Sequence, residues 1–537
     1  MEMHSLQYAR GLSSQETAAL VGGATLSEEA VGILEQLHRT ITDFRELEKR
    51  GQQQTQEERE RERELGQGRT LGTGDKEGDE RDKKKNGKKG KPKPGKMSLR
   101  KEFAMKARWA IVVRVTAQAH FDTTFGLPQK SSKYDKDKFV DLLHDLKDYN
   151  DGLYKLFPAY RHESLSRQLT HDVLYSAERS VSDLSLIEHA SNGQYPLLNA
   201  SASLKELKVN LESKSQTAFK ATIAFRIPKE SLTVAEGSTN TPPTMRSDKN
   251  QRIPAYHKDK GNVLIEWIDY DTHERNLHMR RLDDLTRLMH SASDCHPDLH
   301  TIDCVGYTED QPKSRFGLVY KAPESTFSSL YSLISVNDLK TPDLQDRMAL
   351  AKTLAIALWS LHSLEWLHKS FCSSILFFLS AMSASAKSAT ALSALVPDIS
   401  SPYLVGFDAS RSDLDTEVSL VSRNPSIHDL HRHPNLIGCT TKRVQYIKSH
   451  DIYSLGLILL EVGLWKVLQT FHKPSYSAER WRDRVVLNAL VPGLGSKAGK
   501  MYREVVEKCL QVKEDMGNDE ACLLMEEIVK TLEIIRV

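Results

Sequence analysis

Residues 341–370 read TPDLQDRMALAKTLAIALWSLHSLEWLHKS. Thr341-Pro342 opens it, and proline is tolerated in the first turn of a helix because its missing N–H has no intrahelical partner there. Leu344, Met348, Ala351, Leu354, Leu358 and Leu361 follow at helical spacing, forming the apolar stripe of a long buried helix. The helix runs out into Trp366-Leu367-His368-Lys369-Ser370.

Upstream, from about Asn262, the pattern is of short β-rich runs. Val263-Leu264-Ile265-Glu266-Trp267 predicts a strand, and Leu282, Leu285, Leu288 and Met289 mark a helix. His296-Pro297-Asp298-Leu299, Cys304-Val305-Gly306-Tyr307 and Phe316-Gly317-Leu318-Val319-Tyr320 suggest two more strands with a turn between them. Lys321-Ala322-Pro323-Glu324 ends the last. Downstream lie Val405-Gly406-Phe407-Asp408-Ala409-Ser410-Arg411 and Asp451-Ile452-Tyr453-Ser454-Leu455-Gly456, the latter followed by the apolar Leu457 to Leu464.

The N-terminal third reads as helical. Ser27 is a helix cap with Glu28 and Glu29 in the first turn, and Val31, Leu34, Leu37, Ile41 and Phe44 give one apolar face. A second face is formed by Leu142, Leu146, Tyr149 and Leu153, and a further helix is expected from about Leu165 to Ala190. Between them Lys83 to Lys96 has no apolar side chain except its prolines, so it cannot bury enough surface to offset ordering entropy. Its functional readings are an anionic lipid contact, a nuclear-import signal or a nucleic-acid contact, and the plainer one is a solvated loop. Nucleic acid is not the expected partner.

Composition narrows the classes. A chain of 537 residues is too long for one core, and 74 basic against 72 acidic side chains give a net charge of +2 that predicts no partner. All six cysteines, Cys295, Cys304, Cys372, Cys439, Cys509 and Cys522, lie in the second half without a CxxC pair, which predicts buried free thiols in a reducing compartment. The first ten residues lack an apolar secretion signal, and the apolar stretch Ile375 to Val396 carries Lys387 and many serines, so neither secretion nor a membrane span is expected. The expected location is cytoplasmic, with peripheral membrane contact as the variant.

Two resemblances follow from these residues. Leu146-Lys147-Asp148-Tyr149-Asn150-Asp151-Gly152-Leu153, then Leu156-Phe157-Pro158, with Arg108-Trp109-Ala110-Ile111 upstream, resembles the fungal prion-inhibition and propagation domain, also called HeLo, a helical bundle. The family's longer first helix is shortened or absent here, and Val115 to Lys133 looks like an insertion. The second half resembles a protein kinase. Its order of strands and helix matches the third strand, C-helix, fourth strand, fifth strand and hinge of the small lobe. Trp366 to Ser370 sits where the catalytic loop is expected, Gly406-Phe407-Asp408 where D-F-G is expected, and His433-Pro434 near the A-P-E segment. Asp451 to Gly456 resembles the start of the F-helix, and Tyr502 to Leu510 a late helix ending in Cys-Leu.

The resemblance implies a bilobal α+β domain without its chemistry. Phosphoryl transfer needs a lysine on the phosphates, a catalytic-loop Asp, an Asn on the second metal and the D-F-G Asp on Mg²⁺. Here Glu266 stands at the lysine position, Ser370 at the catalytic Asp, Ile375 at the Asn and Gly406 at the metal Asp, and no G-x-G-x-x-G precedes Val263. His368, Lys369, Ser370, Ile375, Gly406, Phe407 and Asp408 are thus degenerate kinase positions, with no catalytic residue, cofactor or metal expected among them. Asp451 and Gly456 are expected as structural, Asp451 as a buried cap for the loop backbone. The expected organisation is a helical segment of a bundle at 1–50 and a disordered basic insertion at 51–100. The bundle's remainder follows at 101–195, then a linker and irregular segment at 196–261 and a pseudokinase domain at 262–537. The expected function is regulatory: a helical domain that self-associates or touches an anionic membrane, held or released by the pseudokinase in allorecognition or programmed cell death. The alternative is an active Ser/Thr kinase using ATP and Mg²⁺ with Asp408 as a displaced carboxylate.

Overall fold

The computed structural model describes His144 and residues 159–193, 195–213, 221–234, 252–322, 327–336, 339–378, 396–407, 411–412, 430–437, 445–513 and 515–537. The helices expected over Ser27–Phe44 and around Leu142–Leu153, apart from the helical His144, lie outside these residues. So do the 51–100 segment, the 115–133 insertion, Asp408 and Cys439. Two units divide the chain, residues 1–176 and 177–537.

The helix expected over Leu165–Ala190 is two helices, α1 (Ala159–Ala177) and α2 (Val181–Ser191). The break is local chemistry. Glu178 takes a left-handed conformation at φ 48°, and the hydroxyl of Ser180 accepts from the Asp183 N–H, capping a new helix. Periodicity alone carried across this break because the apolar spacing resumes in phase. Residues 196–261, expected as linker and irregular segment, hold α3 (Pro196–Ser213) and strands β1 (Leu232–Val234) and β2 (Arg252–His257). Both strands are short and β2 contains Pro254, a breaker in any pattern reading.

β1 and β2 join β3 (Gly261–Asp269), β4 (Cys304–Asp310) and β5 (Arg315–Lys321) in an antiparallel sheet of order β1-β2-β3-β5-β4. Helix α4 (Arg275–Cys295) connects β3 to β4. Val263, Ile265 and Trp267 alternate along β3 and pack with Ile227, Ala255, Val305 and Val319 on one face. The intervening Leu264 and Glu266 are also buried, so β3 is covered on both sides.

After β6 (Ser328–Ser329) and α5 (Leu330–Ser335), α6 (Leu344–Ser363) is the long helix that the opening stretch predicts. It begins two residues after Pro342, with Asp343 at its N-cap position. Met348, Ala351, Leu354, Leu358 and Leu361 are all buried, and so are Leu350, Ala355 and Ile356, so more than one stripe faces the core. β7 (Trp366–Leu367), β8 (Leu376–Phe378), β9 (Tyr403–Leu404) and β10 (Arg411–Ser412) are short, β7 pairing with β10 and β8 with both β6 and β9. Ile375 to Phe378, the start of the apolar stretch, is therefore part of the fold.

Helix α7 (Lys448–Leu464) is buried through almost its whole length. After it come α8 (Ala478–Arg480), a π-helical run Trp481–Leu490, α9 (Val491–Ala498), α10 (Lys500–Leu510) and α11 (Asn518–Ile534). α7 packs on α6 and α10. Gly456 permits the second contact: a Cβ there would lie 2.6 Å from the Cys509 Cβ. Cys304, Cys372, Cys509 and Cys522 are buried free thiols and Cys295 is exposed. Among the described residues no helix is long and apolar enough to cross a membrane. The described chain is α+β.

Candidate functional site: two buried carboxylates and their partners

The loop after β7 is organised by Asp451 in the first turn of α7. Its Oδ2 accepts from the His368 N–H at 2.9 Å and its Oδ1 from the Lys369 N–H at 3.0 Å. Tyr446 donates its hydroxyl to Oδ1 at 2.7 Å, and His362 Nε2 lies 3.5 Å from Oδ2. Asp451 has no exposed surface. Burial pushes its carboxyl up, but the donors around it more than reverse that and hold it below the usual carboxylate range. The same burial drives the Tyr446 hydroxyl well up. Lys369 adopts φ 67°, a left-handed turn that Asp451 secures by fixing the two N–H groups at its start.

His368 is fully buried beneath the loop, its ring 4.6 Å from Phe407 and 5.4 Å from Phe371. Nε2 donates to the Val405 carbonyl at 3.2 Å, which leaves Nδ1 to accept from the Ser370 N–H at 3.3 Å. Burial lowers its pKa to about 4, so the imidazole is neutral at physiological pH. Both ring nitrogens are engaged with backbone. His368 is thereby a packing and hydrogen-bonding residue in this arrangement, with no nitrogen left to serve as a base.

On the sheet side stands a second buried carboxylate. Glu266 of β3 is fully buried and faces Arg252 directly across the β2–β3 pair. Arg252 Nε donates to Oε1 at 2.6 Å, and its Nη2 reaches the same oxygen at 2.6 Å. The Tyr320 hydroxyl donates to Oε2 at 3.0 Å, and the Gly406 N–H donates to the same oxygen at 3.3 Å. The guanidinium also sits 5.3 Å from the Phe377 ring centroid, and Phe377 stacks on Phe327 at 5.0 Å. Gly406 is held at φ 81°, and a Cβ there would meet Ile375 Cγ2 at 2.9 Å and Arg252 Nη2 at 3.3 Å. Position 406 has no room for a side chain.

The structure thus places the sequence-chosen residues in two groups. Glu266, Ile375 and Gly406 gather on the sheet side around Arg252. His368, Lys369, Ser370, Phe407 and Asp451 gather on the helical side. Gly456 belongs to neither, lying in the α7–α10 contact. Arg252, Tyr320 and Tyr446 were missed. A signal for Arg252 existed: a glutamate flanked by Ile265 and Trp267 inside a buried strand requires a cation from its neighbour. Among the described residues no three His, Cys, Asp or Glu side chains are grouped so as to hold a metal ion.

This sheet and helical half define an α+β protein in which both buried acids are committed to internal partners. Residues 266–534, half of the chain, match the family model described as domain of unknown function DUF7580, and the chain belongs to that family. Residues 8–187 match the model of HeLo, described as prion-inhibition and propagation. A search of curated proteins found no match.

Proposed function

We propose that the chain is a non-catalytic regulatory protein in which a HeLo-like helical domain acts and a C-terminal pseudokinase holds or releases it, in allorecognition or cell-death signalling. The observation that carries the reading is the Arg252–Glu266–Gly406 contact. In a kinase this junction would take nucleotide phosphates and Mg²⁺; here an internal guanidinium and carboxylate fill it.

Other features support a kinase-like scaffold. Two strands precede β3, so β3 is the third strand, α4 the helix after it, and β4 and β5 the fourth and fifth, in the order the sequence resemblance requires. Asp451 binds the backbone of the His368 loop from the start of a buried helix. The nucleotide itself does not fit. Glu266 would repel phosphate, Gly406 cannot gain a carboxylate without displacing Ile375 or Arg252, and Ile375 has no donor atom. The acting part would then be the helical domain, through self-association or an anionic membrane surface.

Nucleotide binding and transfer test the pseudokinase part, and leakage and scattering the helical part. Saturating ATP with Mg²⁺ at a hundredfold excess over Kd raises stability by about 2.7 kcal/mol in a protein that binds it. We expect no thermal shift and no phosphate transfer to a generic substrate, and transfer by the purified chain would overturn the reading. Leakage of anionic liposomes and light scattering report the activity of the helical domain.

A further inference from the structure

The HeLo match ends at residue 187, inside α2, yet α2 and α3 belong to the same compact unit as the sheet and the helical half. The first part of α2, residues 181–187, is thus common to both, and α3, beyond the match, packs on α2. Its fastenings are unusual for a helix that completes a core. α3 does bury Leu198, Ala202 and Leu204, but it also buries Lys205 and Lys208, at 1 % and 3 % exposure. Lysine is almost never so buried without a partner, since removing its charge from water is costly.

The partner is Glu365. Lys205 Nζ lies 3.1 Å from its Oε1, and Arg179 Nη1 lies 3.2 Å from its Oε2. Arg179 also pairs with Glu212 of α3, and Lys208 Nζ is 2.9 Å from the other Glu212 oxygen. Burial lowers both lysine pKa values, partly offset by the glutamates. Burial pushes Glu365 up, and the surrounding cations more than reverse it.

Position matters here as much as charge. Glu365 sits at φ 56° in the turn between α6 and β7, three residues before His368. The same segment is fastened to α4 as well. Ser201 Oγ is 2.8 Å from His296 Nε2, just past the end of α4. Thr222 donates its N–H and hydroxyl to Asp283 of α4 at 2.8 and 3.0 Å, and the Ile227 N–H donates to the Tyr307 carbonyl at 2.8 Å. Residues 179–213 reach both the turn that leads into the His368 loop and, through Ser201, the end of α4, and Thr222 and Ile227 add contacts to α4 and β4.

We infer that the α2–α3 hairpin is a latch, held by Arg179 and Lys205 on Glu365, that couples the helical domain to the His368 loop. Breaking the Glu365 contact frees the hairpin as one piece and loosens residues 365–371 with it. A buried ion pair suits this role because it is selective in geometry while adding little net stability over an apolar contact. The latch rests on the reading under Proposed function only in taking the helical domain as the acting part.

Hydrogen exchange of the full chain tests it, with Glu365→Gln and the milder Arg179→Ala, whose side chain is 30 % exposed. The expected result is exchange at least tenfold faster over 181–213 and 365–371 in E365Q, the same pattern more weakly in R179A, and unchanged protection in α7. Unchanged exchange over 181–213 in both variants overturns the latch, as does a rise equal to that of α7, which would report global destabilisation. Light scattering and anionic-liposome leakage on the same samples separate the two ideas. A loosened hairpin with increased self-association or leakage supports both, whereas a loosened hairpin without either keeps the latch and overturns the functional reading.

Discussion

Glu266 and Asp451 are both carboxylates without exposed surface, and they are solved in opposite ways. Glu266 is neutralised by a full cation, Arg252, with Tyr320 and the Gly406 N–H completing its shell. Asp451 is met chiefly by dipoles: two backbone N–H groups, a tyrosine hydroxyl and a neighbouring histidine. The difference separates substitution from scaffolding. Asp451 ties a loop to a helix, a task that needs directed donors. Glu266 and Arg252 satisfy each other and close the junction between sheet and helices, a task that needs mutual charge.

The largest effect should come from breaking the charged solution. Arg252→Met keeps the bulk but strands Glu266 in the interior, at a cost of about 3–5 kcal/mol. Denaturant unfolding reads this directly. Adding Glu266→Leu to Arg252→Met should recover only part of the loss, because it removes the stranded charge but leaves the Tyr320 hydroxyl and the Gly406 N–H without their acceptor. Full recovery would show that those two donors matter little to the junction.

Asp451→Asn is next. The amide keeps one acceptor oxygen but presents two hydrogens to groups that also donate, His368 N–H, Lys369 N–H or Tyr446. An unsatisfied buried donor costs about 1–3 kcal/mol, and we expect a loss in the upper part of that range with faster exchange confined first to residues 366–371. If stability held and exchange stayed slow, Asp451 would not organise the loop.

Acidification loads the helical side more gently. His368 titrates at about 4 and His433 at about 3, against an unfolded value of about 6.5. Their folded values are depressed, so the unfolded chain takes up protons first. The stability they permit is fully present above about pH 6.5 and is lost as pH falls towards 4. Each contributes a slope of about 1.4 kcal/mol per pH unit inside that window. His368→Gln should flatten the slope by that amount, measured as unfolding free energy at pH 6.5, 5.5 and 4.5.

Much of the helical half was legible in the sequence because long periodic elements repeat their signal. Leu344 to Leu361 predicted α6 from spacing alone, and the apolar Leu457 to Leu464 falls in α7. The sheet was half legible. Val263 to Trp267 reads as a buried strand, but β1 is three residues long and β2 carries a proline, so neither offers enough alternation to register. This is why Arg252 escaped notice while Glu266 did not. The break at Glu178–Ser180 was hidden for a related reason: a cap and one left-handed residue change direction without changing hydrophobicity. Side-chain closure was the least legible part. Nothing in a linear reading shows that a Cβ at Gly406 would meet Ile375 and Arg252 from sequence distances of 31 and 154 residues.

The smallest expected effect is a difference between two variants, and it bears most closely on the comparison. Tyr320→Phe and Tyr446→Phe each delete one hydroxyl donated to a buried carboxylate, at 3.0 and 2.7 Å. A hydrogen bond to a charged group contributes about 1.5–3 kcal/mol. Glu266 keeps Arg252 when Tyr320 is truncated, so its charge remains matched and the loss should fall at the low end. The described partners of Asp451 are N–H, hydroxyl and imidazole groups, and each of these donors carries more of the burden of holding a charge out of water. Its loss on Tyr446→Phe should fall at the high end, making the two variants differ by about 1 kcal/mol. Both removals are of one oxygen from a buried ring, so the cavity contribution is similar in the pair and largely cancels in the difference. An equal cost in the two variants would mean that the source of neutralisation does not matter, and that Glu266 and Asp451 are held by the same means after all.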